Sequence, residues 1–187
     1  MSDFIRGSLP KMLAGEMAKL HNDLDGSLHL ADLDIPEMRK LHFLLGDWEC
    51  ETLVYPPGAD PAPGRIYGTV KPVLRGAWLE WNFTQEPNTV VEKHQTGRYT
   101  FGWNPAVGKF TAIYYDDRGN CLVEETSGAD YEDGVLRFAG TTILTEEGEV
   151  FFTDAISSKF DGHFRNEVHM TINGERRLHG VIEAKRK

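Results

Sequence analysis

At 187 residues, with 40% hydrophobic and 26% charged side chains, the chain suits one domain with a sizeable core and lies far from the composition of disorder. A formal net charge of -9 argues against a nucleic-acid partner, because phosphate binding needs clustered Lys and Arg. No apolar run approaches the roughly 18 residues of a membrane span, and the N-terminal MSDFIRGSLPKM lacks a signal-peptide core, so a cytoplasmic protein without a membrane partner is expected.

Residues 1–46 differ in character from the rest and are expected to form a helical lid segment. Leu13, Met17, Leu20 and Leu24 recur at helical spacing after Ser8 and Pro10, which predicts an amphipathic helix over residues 10–24. Asp-rich sequence around Gly26 reads as a loop. Pro36 then opens a second helix whose apolar residues are Met38, Leu41, Leu44 and Leu45, with Gly46 as its stop. Such helices can cover one end of a barrel or form the contact of a homodimer.

From residue 47 to 187 the hydrophobic period is two. Ten strands are expected, at about 47–55, 65–75, 77–86, 90–103, 109–116, 121–128, 135–146, 149–160, 163–172 and 175–185. Asn104-Pro105, Asp117-Arg118-Gly119-Asn120, Asp133-Gly134, Glu147-Gly148, Asp161-Gly162 and Asn173-Gly174 mark the turns, the last two being strong two-residue hairpin signals. A meander of that length leaves two long open edges unless it closes on itself. The fold class is therefore mainly β, a ten-stranded antiparallel up-and-down barrel with an N-terminal helical segment. Cys50 and Cys121 lie in separate strands with no CxxC company, and are read as reduced, half-buried thiols.

The stretches FLLGDWECETLVYPPG, VLRGAWLEWNF and GRYTFGWNPAVGKFTAIYYDDRGN resemble a bacterial calycin-like (lipocalin-like) barrel family catalogued as domain of unknown function 1579. The likeness spans residues 37 to 187, and its short motifs imply the fold more than an activity. Leu44-Leu45-Gly46-Asp47-Trp48 and Tyr55-Pro56 also resemble the nitrobindin-like haem barrels, where a histidine on the last strand ligates iron; that likeness implies His179 as the ligand. The glycines that follow the tryptophan in those barrels are replaced by Glu49-Cys50-Glu51-Thr52, which puts haem binding in doubt.

Counting back from Asp161-Gly162 as a two-residue turn places Asp154 opposite His169, on one face with Glu167. A carboxylate orienting an imidazole suits general acid–base work, with His169 as base, Asp154 as its orienter and Glu167 as a second acid. The same count puts His179 on the other face with Val168 and Met170, so the two groups exclude each other from the interior unless a bulge intervenes. Apolar content conflicts: on residues 149–160 it favours the Asp154 face as interior, on residues 163–172 the opposite face. Trp78, Glu80, Trp81, Tyr99, Trp103 and Tyr114 are the candidate ligand-binding lining. The outward alternative for Asp154 and His169 is an exposed ion pair of little weight.

The sequence contains no phosphate loop, GxSxG, HExxH or metal-ligand spacing. The expectation is a barrel holding a small apolar or aromatic molecule, either as a cofactor-free acid–base enzyme (cyclase, isomerase or dehydratase type) or as a carrier or sensor, with no metal.

Overall fold

The computed structural model describes residues 34–126, 134–144 and 148–187, apart from the side chain of Lys159. The helix expected over residues 10–24 lies outside the described residues. The ten strands form as β1 (Gly46–Val54), β2 (Ala62–Val73), β3 (Trp78–Gln85), β4 (Gln95–Asn104), β5 (Lys109–Asp116), β6 (Cys121–Thr126), β7 (Val135–Leu144), β8 (Gly148–Phe160), β9 (His163–Ile172) and β10 (Glu175–Arg186). Each pairs antiparallel with its sequence neighbours, and β1 pairs with β10, so the sheet closes and has no free edge.

The segment before β1 is a 3₁₀ helix, Pro36–Leu44, rather than the α-helix through Leu45 that the periodicity suggests. Its apolar residues explain the difference. Met38, Leu41 and Leu44 are spaced by three, and in a helix of three residues per turn such side chains eclipse one another on one face. All three are buried against the barrel core, whereas Leu45 has extended backbone. Gly46 then takes φ +124°, which a residue with a side chain rarely adopts, and turns the chain into β1.

The core is concentrated at the helix-bearing end. The first inward side chain after Gly46 is Trp48, whose indole Nε1 donates 2.6 Å to the Leu44 carbonyl and whose ring meets Phe164 edge-on at 4.7 Å. Arg186, the cross-strand partner of Trp48 on β10, lies over the indole with its guanidinium 5.1 Å from the ring centre, and donates to the Phe43 carbonyl. Leu79, Phe101, Phe110 and Phe138 continue the packing upward. Cys50 belongs to this core, where burial and then Glu49 push its thiol up to about 12; Cys121 is exposed rather than half-buried, and neither is in a disulfide.

Candidate functional site

The last hairpins decide what faces inward. Phe160 pairs with His163 across Asp161-Gly162, as a two-residue turn requires, but the next pair is Ser158 with Phe164, so one residue bulges out of β8. That bulge corrects the expected register: Asp154 pairs with Val168, and His169 pairs with Thr153. It also removes the conflict in apolar content. One extra residue brings Phe152 and Ile156 of β8 onto the same face as Phe164, Val168 and Met170 of β9. Burying each such side chain is worth about 1.5–3 kcal/mol, whereas a disrupted ladder hydrogen bond costs about 1 kcal/mol. Hydrophobic matching wins over turn geometry.

A second bulge falls at His179, because Leu178 pairs with His169 and Gly180 with Val168. The His179 carbonyl accepts the Tyr55 N–H at 2.8 Å, and its ring stands edge-on to Phe152 with centroids 6.0 Å apart. The β1 wall presents Cys50 and Thr52 inward, where the nitrobindin-like sequence pattern has glycines.

Of the expected site residues, Asp154, Trp81, Tyr99, Trp103 and Tyr114 lie on the inner face, and four do not. Trp78 lies outside over Gly102. Glu80 is also outside, accepting from Asn82 at 2.8 Å and pairing with Arg98 at 3.5 Å. Glu167 pairs on the outer face with Arg165 at 2.7 Å, and the same guanidinium also binds Glu183. His169 shares that face, and burial followed by the charge of Arg176 lowers its pKa. The expected Asp154–His169–Glu167 arrangement therefore does not form in the interior, although His169 remains within electrostatic reach of Asp154.

The structure instead gives Asp154 the partners Glu124, Tyr99 and Asn166. Glu124 is only 1% exposed, Asn166 4% and Asp154 5%. Tyr99 Oη donates to Glu124 Oε2, Asn166 Nδ2 donates 2.5 Å to Asp154 Oδ1, and the two carboxyls are hydrogen-bonded to each other. Two carboxylates in contact out of water cannot both ionise, so a proton is held between them. Burial, then the charge of Asp154 and its hydrogen bond, push Glu124 up to about 9, and burial also raises Asp154. Glu124 is the member that keeps the proton, since Asp154 accepts from both the Asn166 amide and the Glu124 hydroxyl. Aromatic rings enclose the pair, with Tyr99 and Phe101 at 4.5 Å and Phe101 and Phe138 at 5.8 Å between centroids.

Asp116, farther toward the opposite end, shows what the pair lacks. It accepts from Gln95 at 2.5 Å, from Tyr114 and the Asn120 amide at 2.8 Å each, and from the backbone N–H groups of Arg118 and Asn120. Burial opposes its ionisation, but these donors outweigh burial and hold it below the usual carboxylate range. Around Glu124 the donors run out. Apart from any proton shared with Asp154, Glu124 Oε1, Thr126 Oγ1 and Asn166 Oδ1 are buried without a hydrogen-bond partner.

The interior is not filled to the same degree throughout. Gly180 is a buried, inward position, yet a Cβ built there would meet only the Leu53 carbonyl oxygen, at 3.6 Å. Its inward partners are Val54 on β1 and Val168 on β9, with Ala62 next on β2, all smaller than Trp48 and Trp81 at the helix-bearing end. A separate concavity of about 1080 Å³ lies largely on the outside of β2–β5, lined by Tyr67, Lys71, Arg98 and Tyr115 among others, and is open to solvent.

Glu124 and Asn166 escape a reading of local composition. Counting from inward Ala112 with Asp117–Asn120 as the turn reaches Glu125; Glu124 is the partner because the Asp116 N–H bonds to the Asn120 carbonyl and the turn is one residue shorter, Asp117–Gly119. Asn166 becomes visible only once the bulge in β8 is known.

Fold and site together define a closed ten-stranded antiparallel β-barrel with a carboxyl pair buried in its interior. The chain belongs to the family DUF1579, described as a protein of unknown function, whose model matches residues 35–183. None of the curated proteins matches it. Among solved structures it is similar to Rv2717c from M. tuberculosis, with 13% identity, a TM-score of 0.59, and coverage of 82% of this chain and 98% of that one. It is also similar to the S-type phycobiliprotein lyase CPES from Guillardia theta, with 11% identity, a TM-score of 0.55, and coverage of 81% and 96%. At these identities the likeness is one of fold. No described helix is long and apolar enough to cross a membrane.

Proposed function

We propose that the barrel binds one small apolar or aromatic molecule in the part of its interior that extends from the carboxyl pair past Gly180, away from the 3₁₀ helix. The observation that carries this reading is the pair of buried polar atoms without partners beside the carboxyls, Thr126 Oγ1 and Asn166 Oδ1. Burying an unpaired polar group costs about 1–3 kcal/mol, so a core built for stability alone gains nothing from two of them. The space beside Gly180 supports the same reading, as does a fold shared with a lyase. Acid–base work on a bound molecule then belongs to Glu124 and Asp154, not to His169 or Glu167 on the outer face.

The test uses the neutral aromatic fluorophore N-phenyl-1-naphthylamine. The wild-type protein is expected to bind it at one site, with energy transfer from tryptophan. Gly180→Phe, which fills the space, should abolish binding while leaving the unfolding midpoint close to wild type, and His169→Ala and Glu167→Ala should bind as before. Undiminished binding by a folded Gly180→Phe protein would sink the proposal.

A further inference from the structure

The helix-bearing end of the barrel is closed by Met38, Leu41, Leu44 and Trp48, each at most 3% exposed, so a molecule reaching Gly180 enters by the other end. The connection between β3 and β4, residues 86–94, stands there. Its residues 90–94, expected within a strand, lie outside β4. Most of the connection is exposed, but Val91 is only 8% exposed and Asn88 reaches the inner wall. A Cβ built on Gly64 would stand 2.7 Å from Asn88 Nδ2 and 2.8 Å from Thr52 Oγ1. Gly64 and Thr52 are cross-strand partners on the inner face, one inward step from Ala62 and from Val54, the partner of Gly180. The Asn88 amide therefore occupies the interior beside the space next to Gly180, and the glycine at position 64 makes room for it.

The loop is folded on itself. Asn88 Oδ1 accepts the N–H groups of Val90 and Val91 at 2.8 and 2.7 Å, and the Asn88 N–H donates 2.7 Å to the Val91 carbonyl. Asn88 and Val91 thus form one unit. Against the wall, however, that unit has no polar bond: Asn88 Nδ2 and Thr52 Oγ1 are both buried without a hydrogen-bond partner. Burying a donor and an acceptor unpaired costs free energy that water returns when the loop lifts. Burial of Val91 favours the seated position, the two polar groups oppose it, and the opposition keeps seated and lifted positions close in free energy.

We propose that residues 86–94 are the lid of the interior site, seated by Asn88 and Val91 and lifted when a ligand enters or leaves. This rests on the reading that the interior binds a small molecule, and adds how access to that site is regulated.

Stopped-flow binding of N-phenyl-1-naphthylamine tests the lid in two ways. Thr52→Cys with Asn88→Cys, in a Cys121→Ser background, tethers the loop, because the two replaced side chains lie against the same point of the wall. Cys50, whose thiol is pushed up to about 12 by burial, stays reduced. The oxidised protein is expected to take up the fluorophore at least about tenfold more slowly than the same protein reduced with dithiothreitol. Val91→Ala unseats the lid, so association and dissociation should both quicken about tenfold while Kd stays unchanged. Peptide mapping confirms the bond between positions 52 and 88, and circular dichroism confirms the fold. Equal rates in oxidised and reduced protein, or a Val91→Ala protein whose Kd weakens through dissociation alone, overturn the lid and leave the binding site standing. Failure of the two thiols to join overturns it as well, since Asn88 would then not rest against Thr52. Absence of fluorophore binding to the wild-type protein removes the site and the lid together.

Discussion

Wild-type stability is expected to fall by about 4 kcal/mol between pH 5 and pH 8 through one carboxyl, and a Glu124→Gln variant should lack that component. Glu124 is held up to about 9 by burial and by Asp154, against an ordinary value of 4.5. Between those two values the folded chain keeps a proton that the unfolded chain has released, so stability falls as pH rises through that window. The loss is absent below pH 4.5 and complete above pH 9. Each pH unit inside the window is worth about 1.4 kcal/mol, hence the figure over three units. Burial raises Asp154 as well and adds to the loss. His169, lowered by burial and Arg176, acts with the opposite sign, costing stability as pH falls through its ordinary 6.5, and Asp116 matters only in the acid range. Both are common to wild type and variant. Urea denaturation of the two proteins at matched pH isolates Glu124, and parallel pH profiles would show that its carboxyl is ionised in the folded barrel.

Trp48→Ala should cost about 3–5 kcal/mol, the range for removing a large aromatic side chain from a core. Trp48 is 1% exposed and joins three parts of the molecule: the Leu44 carbonyl at the end of the 3₁₀ helix, Phe164 on β9, and Arg186 at the end of β10. Trp48→Phe retains most of the apolar contact and loses the indole hydrogen bond, so about 1 kcal/mol is expected there. Denaturation midpoints at constant slope measure both. Losses of similar size in the two variants would mean that the hydrogen bond to Leu44, and not the packed ring, holds the helix against the barrel.

Strand alternation and turn chemistry sufficed to read the barrel, because both are local. Asn173-Gly174 and Asp161-Gly162 form their turns, and the strands fall close to their expected spans except that β4 starts at Gln95 rather than at about 90. The interior was harder to read, because facing depends on a count that one residue can invert. The bulge before Phe160 moved His169 and Glu167 outside and gave Asp154 an asparagine in place of a histidine. The warning was present in the sequence: with no bulge, Phe152 and Ile156 would lie across the wall from Val168 and Met170. Glu80 misleads for a related reason. It stands between Trp78 and Trp81 in sequence, but Leu79, Trp81 and Phe83 take the inner face and leave Glu80 to Arg98. Glu124 follows Val123 in a polar strand, and only the cross-strand partner Ala112 shows that it turns inward. Local apolarity points to Val123 instead, which is 52% exposed.

The proton shared by Glu124 and Asp154 is the central feature of the site in the barrel interior. Titration of the Glu124 side-chain carboxyl by carbon-detected NMR, assigned through Glu124→Gln, measures it directly. The account predicts a midpoint near pH 9. A midpoint near the ordinary 4.5 would contradict it, since Glu124 would then be a solvated carboxylate with no proton to share.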